Sequence, residues 1–280
     1  MVDAARNAEA RDVVDAAPRK VAVVTGAGTG IGAATALALA RAGVDVVVNY
    51  RRSRDAADEV AASCRTLGVE AIAHQDDVAD DAACRNLVAA TLARFGRLDI
   101  LVNNAGGTKV TRADPLEEIG AADFDAMFAG NVRSAFQMAR AAVAPLKECR
   151  GTIVNMSSHS GHSGYGSSMV YAATKGALNT LTLGLARRLA PEIRVNAVCP
   201  GFVATDWMRK ARGLDDAANA AFIATVRGLT PLGEVVTAVD VAEAVVFLAL
   251  GARAITGQFL VIDGGAHLTV AAPVPARPAE

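Results

Sequence analysis

Tyr171 and Lys175 stand four residues apart in the stretch Tyr-Ala-Ala-Thr-Lys, and Ser158 lies thirteen positions upstream of the tyrosine. Around them Leu178, Leu181, Leu185 and Leu189 recur at three- and four-residue steps, which predicts a helix over about Met169–Ala190. On such a helix the phenol and the ammonium share a face, one turn apart. A free tyrosine titrates near pH ~10, too high for a base near neutrality. A neighbouring ammonium favours the phenolate and should bring that value down. The pair then has the makings of an acid/base for an alcohol or carbonyl oxygen. Ser158 falls at the end of a strand expected over Thr152–Met156, from which its hydroxyl could hydrogen-bond the same oxygen. A Tyr and a Lys at this spacing are also ordinary neighbours on a helix, so the chemistry depends on what the rest of the chain places around them.

The elements that must position these residues are short apolar strands alternating with helices. Strands are expected at Lys20–Thr25, Val44–Asn49, Glu70–His74, Leu98–Val102, Thr152–Met156, Arg194–Val198 and Gln258–Ile262. Helices are expected after the first glycine turn to Arg41, at Asp55–Leu67 and Asp80–Phe95, over about Ala121–Lys147, and at Val239–Leu250. Gly43 and Gly68 stop two of them. Residues 205–230 read as irregular or short helices. Alternation of this kind argues for an α/β fold, a parallel sheet covered on both faces. One domain is expected over 19–268, with flexible extensions at 1–18 and 269–280, the latter rich in proline.

Hydrophobic residues make up 52% of the 280, but aromatics only 4%, and the net charge is −1. Neither composition nor any basic block points to nucleic acid. The apolar runs are too short or interrupted to span a bilayer, and residues 1–17 lack the apolar core of a secretory signal. Cys64, Cys84, Cys149 and Cys199 show no metal or redox spacing, so reduced thiols and a cytoplasmic setting are expected.

Gly26-Ala-Gly-Thr-Gly-Ile-Gly32 follows the first strand directly and opens the first helix. A glycine turn there can bring backbone N–H groups and a helix N-terminus up to a pyrophosphate, although tight turns use glycine for other reasons too. The second strand ends in Asn49-Tyr50-Arg51-Arg52-Ser53, without the acidic residue that would hold ribose hydroxyls of NAD(H). The guanidinium groups of Arg51 and Arg52 suit a 2′-phosphate, which favours NADP(H), with NAD(H) possible. Alternatively the two arginines are simply solvated at a strand end.

Thr25-Gly-Ala-Gly-Thr-Gly-Ile-Gly32, Asn103-Asn-Ala-Gly106, Asn131, Ser158, Tyr171-Ala-Ala-Thr-Lys175 and Pro200-Gly-Phe-Val-Ala-Thr205, in this order, resemble the motif set of the short-chain dehydrogenase/reductase family over roughly residues 19–265. The resemblance implies a Rossmann-type, doubly wound, seven-stranded parallel sheet in a single domain. It implies that Gly26, Thr29, Gly30, Ile31 and Gly32 line the pyrophosphate and adenosine ribose. Asp77, followed by Val78, would contact the adenine amine; its alternative is a cap for the helix near Asp80. Asn104, Ala105 and Gly106 would pass under the adenosine ribose. Pro200, Gly201, Val203 and Thr205 would border the nicotinamide.

The catalytic set carried by the resemblance is Asn131, Ser158, Tyr171 and Lys175. Tyr171 would exchange a proton with the substrate oxygen, Lys175 would lower its pKa and bind ribose hydroxyls, and Ser158 would orient the substrate. Asn131 would support a water linking Lys175 to solvent. Ser157 competes with Ser158, and the thirteen-residue gap to Tyr171 selects Ser158. The expected activity is hydride transfer between a nicotinamide and a carbonyl or secondary alcohol; the competing reading is a nucleotide-sensing or interaction protein that has lost catalysis. Asn49-Tyr50-Arg51-Arg52 resembles the 3-oxoacyl-carrier-protein reductase and glucose dehydrogenase-like branch. Pocket walls are expected from Ser158–Tyr165, Gly107–Arg112 and 205–230, with His159, His162, Tyr165, Trp207 and Met208 prominent. The two histidines read as polar lining and not as a metal site. The resemblance also implies a homotetramer built on long helices and the last strand.

Overall fold

The computed structural model describes residues 18–111 and 116–269, without the side chains of residues 207, 208 and 211. The expected terminal extensions, Arg112, and the side chains of Trp207 and Met208 lie outside the described residues. Seven parallel strands form one sheet: β1 (Val21–Val24), β2 (Asp45–Tyr50), β3 (Ala71–Gln75), β4 (Ile100–Asn103), β5 (Thr152–Met156), β6 (Arg194–Pro200) and β7 (Phe259–Ile262). Their order is β3-β2-β1-β4-β5-β6-β7, the doubly wound arrangement that the sequence implied. The chain moves outward from β1 to β3, then returns to β4 on the other side of β1. The crevice opened between β1 and β4 is where such sheets bind ligands, beyond the carboxyl ends of the strands.

The strands are continuous apolar runs because both faces are covered. Along β1, Ala22 and Val24 enter one core with Leu39 of α1 (Gly30–Arg41), Ala57 of α2 (Arg54–Thr66) and Val245 of α10 (Ala238–Val246). Val23 points the other way, into a core with Leu87 of α3 (Asp81–Phe95), Met138 and Leu146 of α5 (Ser134–Glu148) and Ala186 of α7 (Met169–Leu189). Period-two alternation thus divides the sheet's side chains between two helical layers.

Local chemistry sets the helix starts. Asp80 caps α3 by accepting from Ala83 N at 2.9 Å, Thr237 and Asp240 form a capping box on α10, and Ser168 caps α7 by accepting from Tyr171 N at 3.2 Å. The last of these fixes Tyr171 in the first turn of its helix. The long helix expected over about Ala121–Lys147 is two helices, α4 (Ala121–Phe128) and α5, joined by a π-helical turn at Ala129–Arg133. Residues 205–230 are more regular than expected, with α8 (Asp206–Arg212) and a fourteen-residue α9 (Asp216–Leu229). The small, Ala-rich faces of that stretch gave a weak periodic signal.

Candidate active site

The strand ends and their following loops enclose a cleft of about 730 Å³. At one end lies the glycine turn. Gly26 and Gly30 have φ of 61° and 58°, the left-handed region that favours glycine. A Cβ on Gly32 would sit 2.5 Å from both Asn104 Nδ2 and Gly26 O, so only hydrogen fits. The turn is clamped to the loop after β4. Thr25 Oγ1 accepts from the N–H of Asn104 (3.0 Å) and Ala105 (2.9 Å), while Asn104 Nδ2 donates to Thr25 O (2.9 Å) and Gly26 O (3.1 Å). Asn49 adds a brace by accepting from Gly26 N at 3.3 Å and donating to His74 O and Asp76 O. A close-approach cradle at a helix N-terminus, open to the cleft, fits the pyrophosphate of a dinucleotide.

Gly26, Thr29, Gly30, Ile31 and Gly32 all line this end, with Arg51, Arg52, Asp77 and Val78 beyond them. Arg51 donates to Asp77 Oδ2 at 3.3 Å, and both side chains are about half exposed. Asp77 also accepts from Ala79 N at 3.0 Å, so it closes a local turn, and Asp80 is the residue that caps α3. Ser53 lines the same end, its Oγ 2.5 Å from where a Cβ on Gly28 would lie. Thr25, Asn49 and Ser53 stand in the quoted stretches, but the sequence assigned them no role of their own. Their signal was position alone, at the carboxyl ends of β1 and β2.

At the other end Ser158, Tyr171 and Lys175 face the cleft together with Pro200, Gly201, Val203 and Thr205; Asn104, Ala105 and Gly106 form the floor between the ends. Ser158 and Tyr171 border the cleft together, and the Ser158 side chain favours the phenolate. Ser158 Oγ donates to Ser160 Oγ at 3.1 Å. Ser158 Oγ also accepts from Ser160 N at 3.1 Å. The neighbouring Ser157 turns to α7, donating to Asn179 Oδ1 at 2.6 Å and Lys175 O at 3.3 Å. Lys175 is buried, donates to Met156 O at 2.8 Å and lies 5.4 Å from the centre of the Tyr171 ring.

Asn131 is buried in the π-helical turn and does not itself line the cleft. Its Oδ1 accepts from Gly107 N (2.8 Å), and its Nδ2 donates to Gly107 O (2.9 Å) and Thr174 Oγ1 (3.0 Å). Thr174 Oγ1 in turn donates to Tyr171 O at 2.7 Å. The extra residue of a π turn re-aims a side chain, and here it sends the Asn131 amide between the β4 loop and α7.

The electrostatics depart from the sequence expectation. Burial pushes the Tyr171 phenol up to about 12, opposed only by Ser158. Burial likewise pulls Lys175 down to about 8, against a smaller opposing effect of Cys199. Burial thus disfavours the charged form of each group, the phenolate and the ammonium alike. Sequence spacing showed the pairing but not the shared burial that disfavours both charges. Near neutrality the pair is phenol and ammonium.

The substrate-side walls also differ. His159, His162 and Tyr165 do not line the cleft. His162 packs edge-on to Phe259 at 5.4 Å, His159 faces His267, and Tyr165 is 82% exposed. Ser158, Gly107–Lys109 and Thr205 line the cleft as expected, and Asp123, Ala126 and Met127 of α4 add a wall that was not. Lys109 Nζ and Asp123 Oδ2 are 2.7 Å apart across that wall. Among the described residues no group of three or more His, Cys, Asp or Glu could hold a metal, and no helix is long and apolar enough to cross a membrane.

A family model described as Enoyl-(Acyl carrier protein) reductase matches residues 26–267. Versicolorin reductase 1 of Aspergillus parasiticus is 38% identical over 255 residues, covering 88% of this chain and 96% of its own. A 3-oxoacyl-[acyl-carrier-protein] reductase of Staphylococcus aureus is 35% identical over 252 residues, covering 89% and 98%. A crystal structure from Burkholderia xenovorans, described as a short-chain dehydrogenase/reductase, superposes with a TM-score of 0.83 at 39% identity, covering 89% of this chain and 98% of that one. The chain belongs to the short-chain dehydrogenase/reductase family of oxidoreductases, whose members work with a nicotinamide cofactor.

Proposed function

We propose that the chain is an NADP(H)-dependent oxidoreductase of carbonyl and secondary alcohol groups, with Tyr171 as the proton donor and acceptor. The observation that carries this reading is the convergence of Ser158, Tyr171 and Lys175 on one cleft, with Lys175 buried 5.4 Å from the centre of the Tyr171 ring. The glycine turn and its Thr25–Asn104 clamp would hold the cofactor's pyrophosphate. Arg51, Arg52 and Ser53 would meet a 2′-phosphate. The Arg51–Asp77 pair is exposed, and such pairs are worth only about 0–1 kcal/mol, so a dianionic phosphate can compete for the guanidinium. Pro200, Gly201, Val203 and Thr205 would border the nicotinamide, which when bound supplies or accepts the hydride.

In reduction Ser158 orients the carbonyl oxygen and the neutral Tyr171 phenol gives it a proton. The phenolate left behind faces the Lys175 ammonium. The ammonium lies 5.4 Å from the ring centre, and its attraction for the phenolate offsets part of the burial cost. Asn131 holds Gly107 and Thr174, and so the floor beside Lys175 and the first turn of α7. It would also support a water leading from Lys175 to solvent. The presence of Asn131, Ser158, Tyr171 and Lys175 together weighs against a catalytically silent sensor on this fold.

The cleft walls, mixed in polarity, suit a small-molecule substrate. The 3-oxoacyl carbonyl named for the Staphylococcus aureus relative is the first to test. Exposed Phe136 on α5, Leu183 on α7 and Phe247 at the end of α10 support self-association, as a homotetramer using long helices and β7. A panel of ketones and 3-oxoacyl thioesters, followed by loss of NADPH and NADH absorbance, tests the activity. Cofactor-dependent turnover faster with NADPH is expected. Tight NADPH binding with no oxidation by any carbonyl would favour the silent reading instead.

A further inference from the structure

Next to the cleft the C-terminal turn carries a carboxylate–imidazole pair that the reaction above does not use. Asp263 follows β7 and is buried, 5% exposed. Its Oδ1 accepts from Gly265 N (2.9 Å) and its Oδ2 from His267 N (2.8 Å), while His267 Nδ1 lies 3.0 and 2.9 Å from the two oxygens. Together these contacts close the Gly264-Gly265 turn.

That turn backs two segments of the site. A Cβ on Gly201 would fall 2.6 Å from Asp263 Cβ, and Gly201 N donates to Ile262 O at 2.9 Å. The Pro200–Gly201 segment therefore lies flat against Asp263. The His267 ring, 6.3 Å centre to centre, faces His159, the residue after Ser158. The two segments meet at one acceptor: Pro200 O receives His159 N at 2.9 Å and lies 3.5 Å from Ser158 Oγ. The serine hydroxyl also donates to Ser160 Oγ at 3.1 Å, so its direction depends on the 158–160 segment and on Pro200, and both segments rest on the Asp263–His267 turn.

We propose that Asp263 and His267 are positioning residues for Ser158, holding Pro200–Gly201 and His159 so that the serine hydroxyl is presented to Tyr171 and the substrate oxygen. Burial alone would push the Asp263 carboxyl up, but the His267 side chain and the N–H groups of 265 and 267 outweigh it and keep the carboxyl below its ordinary value. His159, facing Asp263, His267 and His162, is pulled down chiefly by burial, so it stands neutral against the pair near neutral pH. Removing the His267 ring takes away a donor that a buried carboxylate needs, and the turn must rearrange to find another. The inference rests on the role proposed for Ser158.

The test is a double-mutant cycle on the full chain with His267→Ala, Ser158→Ala and their combination. Ketone-reduction kcat, NADPH affinity by fluorescence and thermal melting are read for each. His267→Ala should lower kcat about tenfold, the scale of a sub-ångström misplacement, with NADPH affinity unchanged. In the Ser158→Ala background the same change should cost less than about twofold, because its target is gone. His267→Asn, which can return a donor near the Nδ1 position, should recover most of the rate. If the alanine variant melts early, His267→Phe keeps the ring and must show the same dependence on Ser158. Equal losses in both backgrounds, or a lowered melting temperature with wild-type kcat, would overturn the proposal. Should Ser158→Ala itself turn over like the wild type, the role of Ser158 falls and this inference with it. Should Ser158→Ala be impaired while His267→Ala is not, this inference alone falls.

Discussion

Replacing Asn131 with alanine removes three hydrogen bonds from one buried point: those with Gly107 N, Gly107 O and Thr174 Oγ1. The Gly107 N–H and C=O lose their partners, and a buried backbone group left unpaired costs about 1–3 kcal/mol. Gly107 borders the cleft, so water can recover part of this. The net loss should be about 3 kcal/mol. For a domain of this size that corresponds to roughly 6–12 °C in melting temperature. Turnover should fall by at least about tenfold as well, because the same amide fixes the floor beside Lys175 and, through Thr174, the first turn of α7. Thermal denaturation and steady-state ketone reduction on one preparation give both numbers. A melting shift under about 2 °C with unchanged turnover would show that the π-helical turn does not brace the site.

Three further outcomes follow from the cleft. Arg51→Ala with Arg52→Ala should raise KM for NADPH far more than for NADH, and an equal effect on both would remove the 2′-phosphate assignment. Gly32→Ala should abolish dinucleotide binding measured by fluorescence, since the added methyl meets Asn104 Nδ2 and Gly26 O at 2.5 Å; retained affinity would show that the cradle gives way. Lys175, pulled down to about 8, is protonated below that pH and neutral above it. Because kcat/KM for NADPH reports the cofactor-free enzyme, its value in ketone reduction should be flat below about pH 8 and fall above it, and a profile rising through that range would contradict the ammonium's role.

The sheet was readable because buried parallel strands leave continuous runs such as Val21–Val24 and Ile100–Asn103, and glycines such as Gly43 and Gly68 mark helix ends. The cleft floor was readable because close backbone approach admits only small residues, at Gly32 for instance. Side-chain direction was harder. His159 and His162 follow Ser158 closely in sequence, yet a four-residue helix at Ser160–Ser163 turns them from the cleft. Asp123 and Met127 belong to no motif, and α4 brings them in. The upward push on Tyr171 and the downward pull on Lys175 were hidden because spacing reports which groups meet and not how deeply they are buried. The Asp263–His267 pair was invisible for a related reason: an i,i+4 spacing across a glycine turn carries no periodic signal.

Tyr171→Phe removes one oxygen from the cleft and leaves the glycine turn, Arg51 and Arg52 untouched. Measuring its NADPH dissociation constant beside its single-turnover hydride transfer to a reducible ketone addresses the proton-transfer assignment directly. Affinity within about twofold of the wild type and transfer slowed by at least about a hundredfold are expected, since positioned acid catalysis contributes on the order of 10²–10⁴. Transfer at the wild-type rate would mean that the proton reaches the substrate by another route, and that the phenol is not the acid.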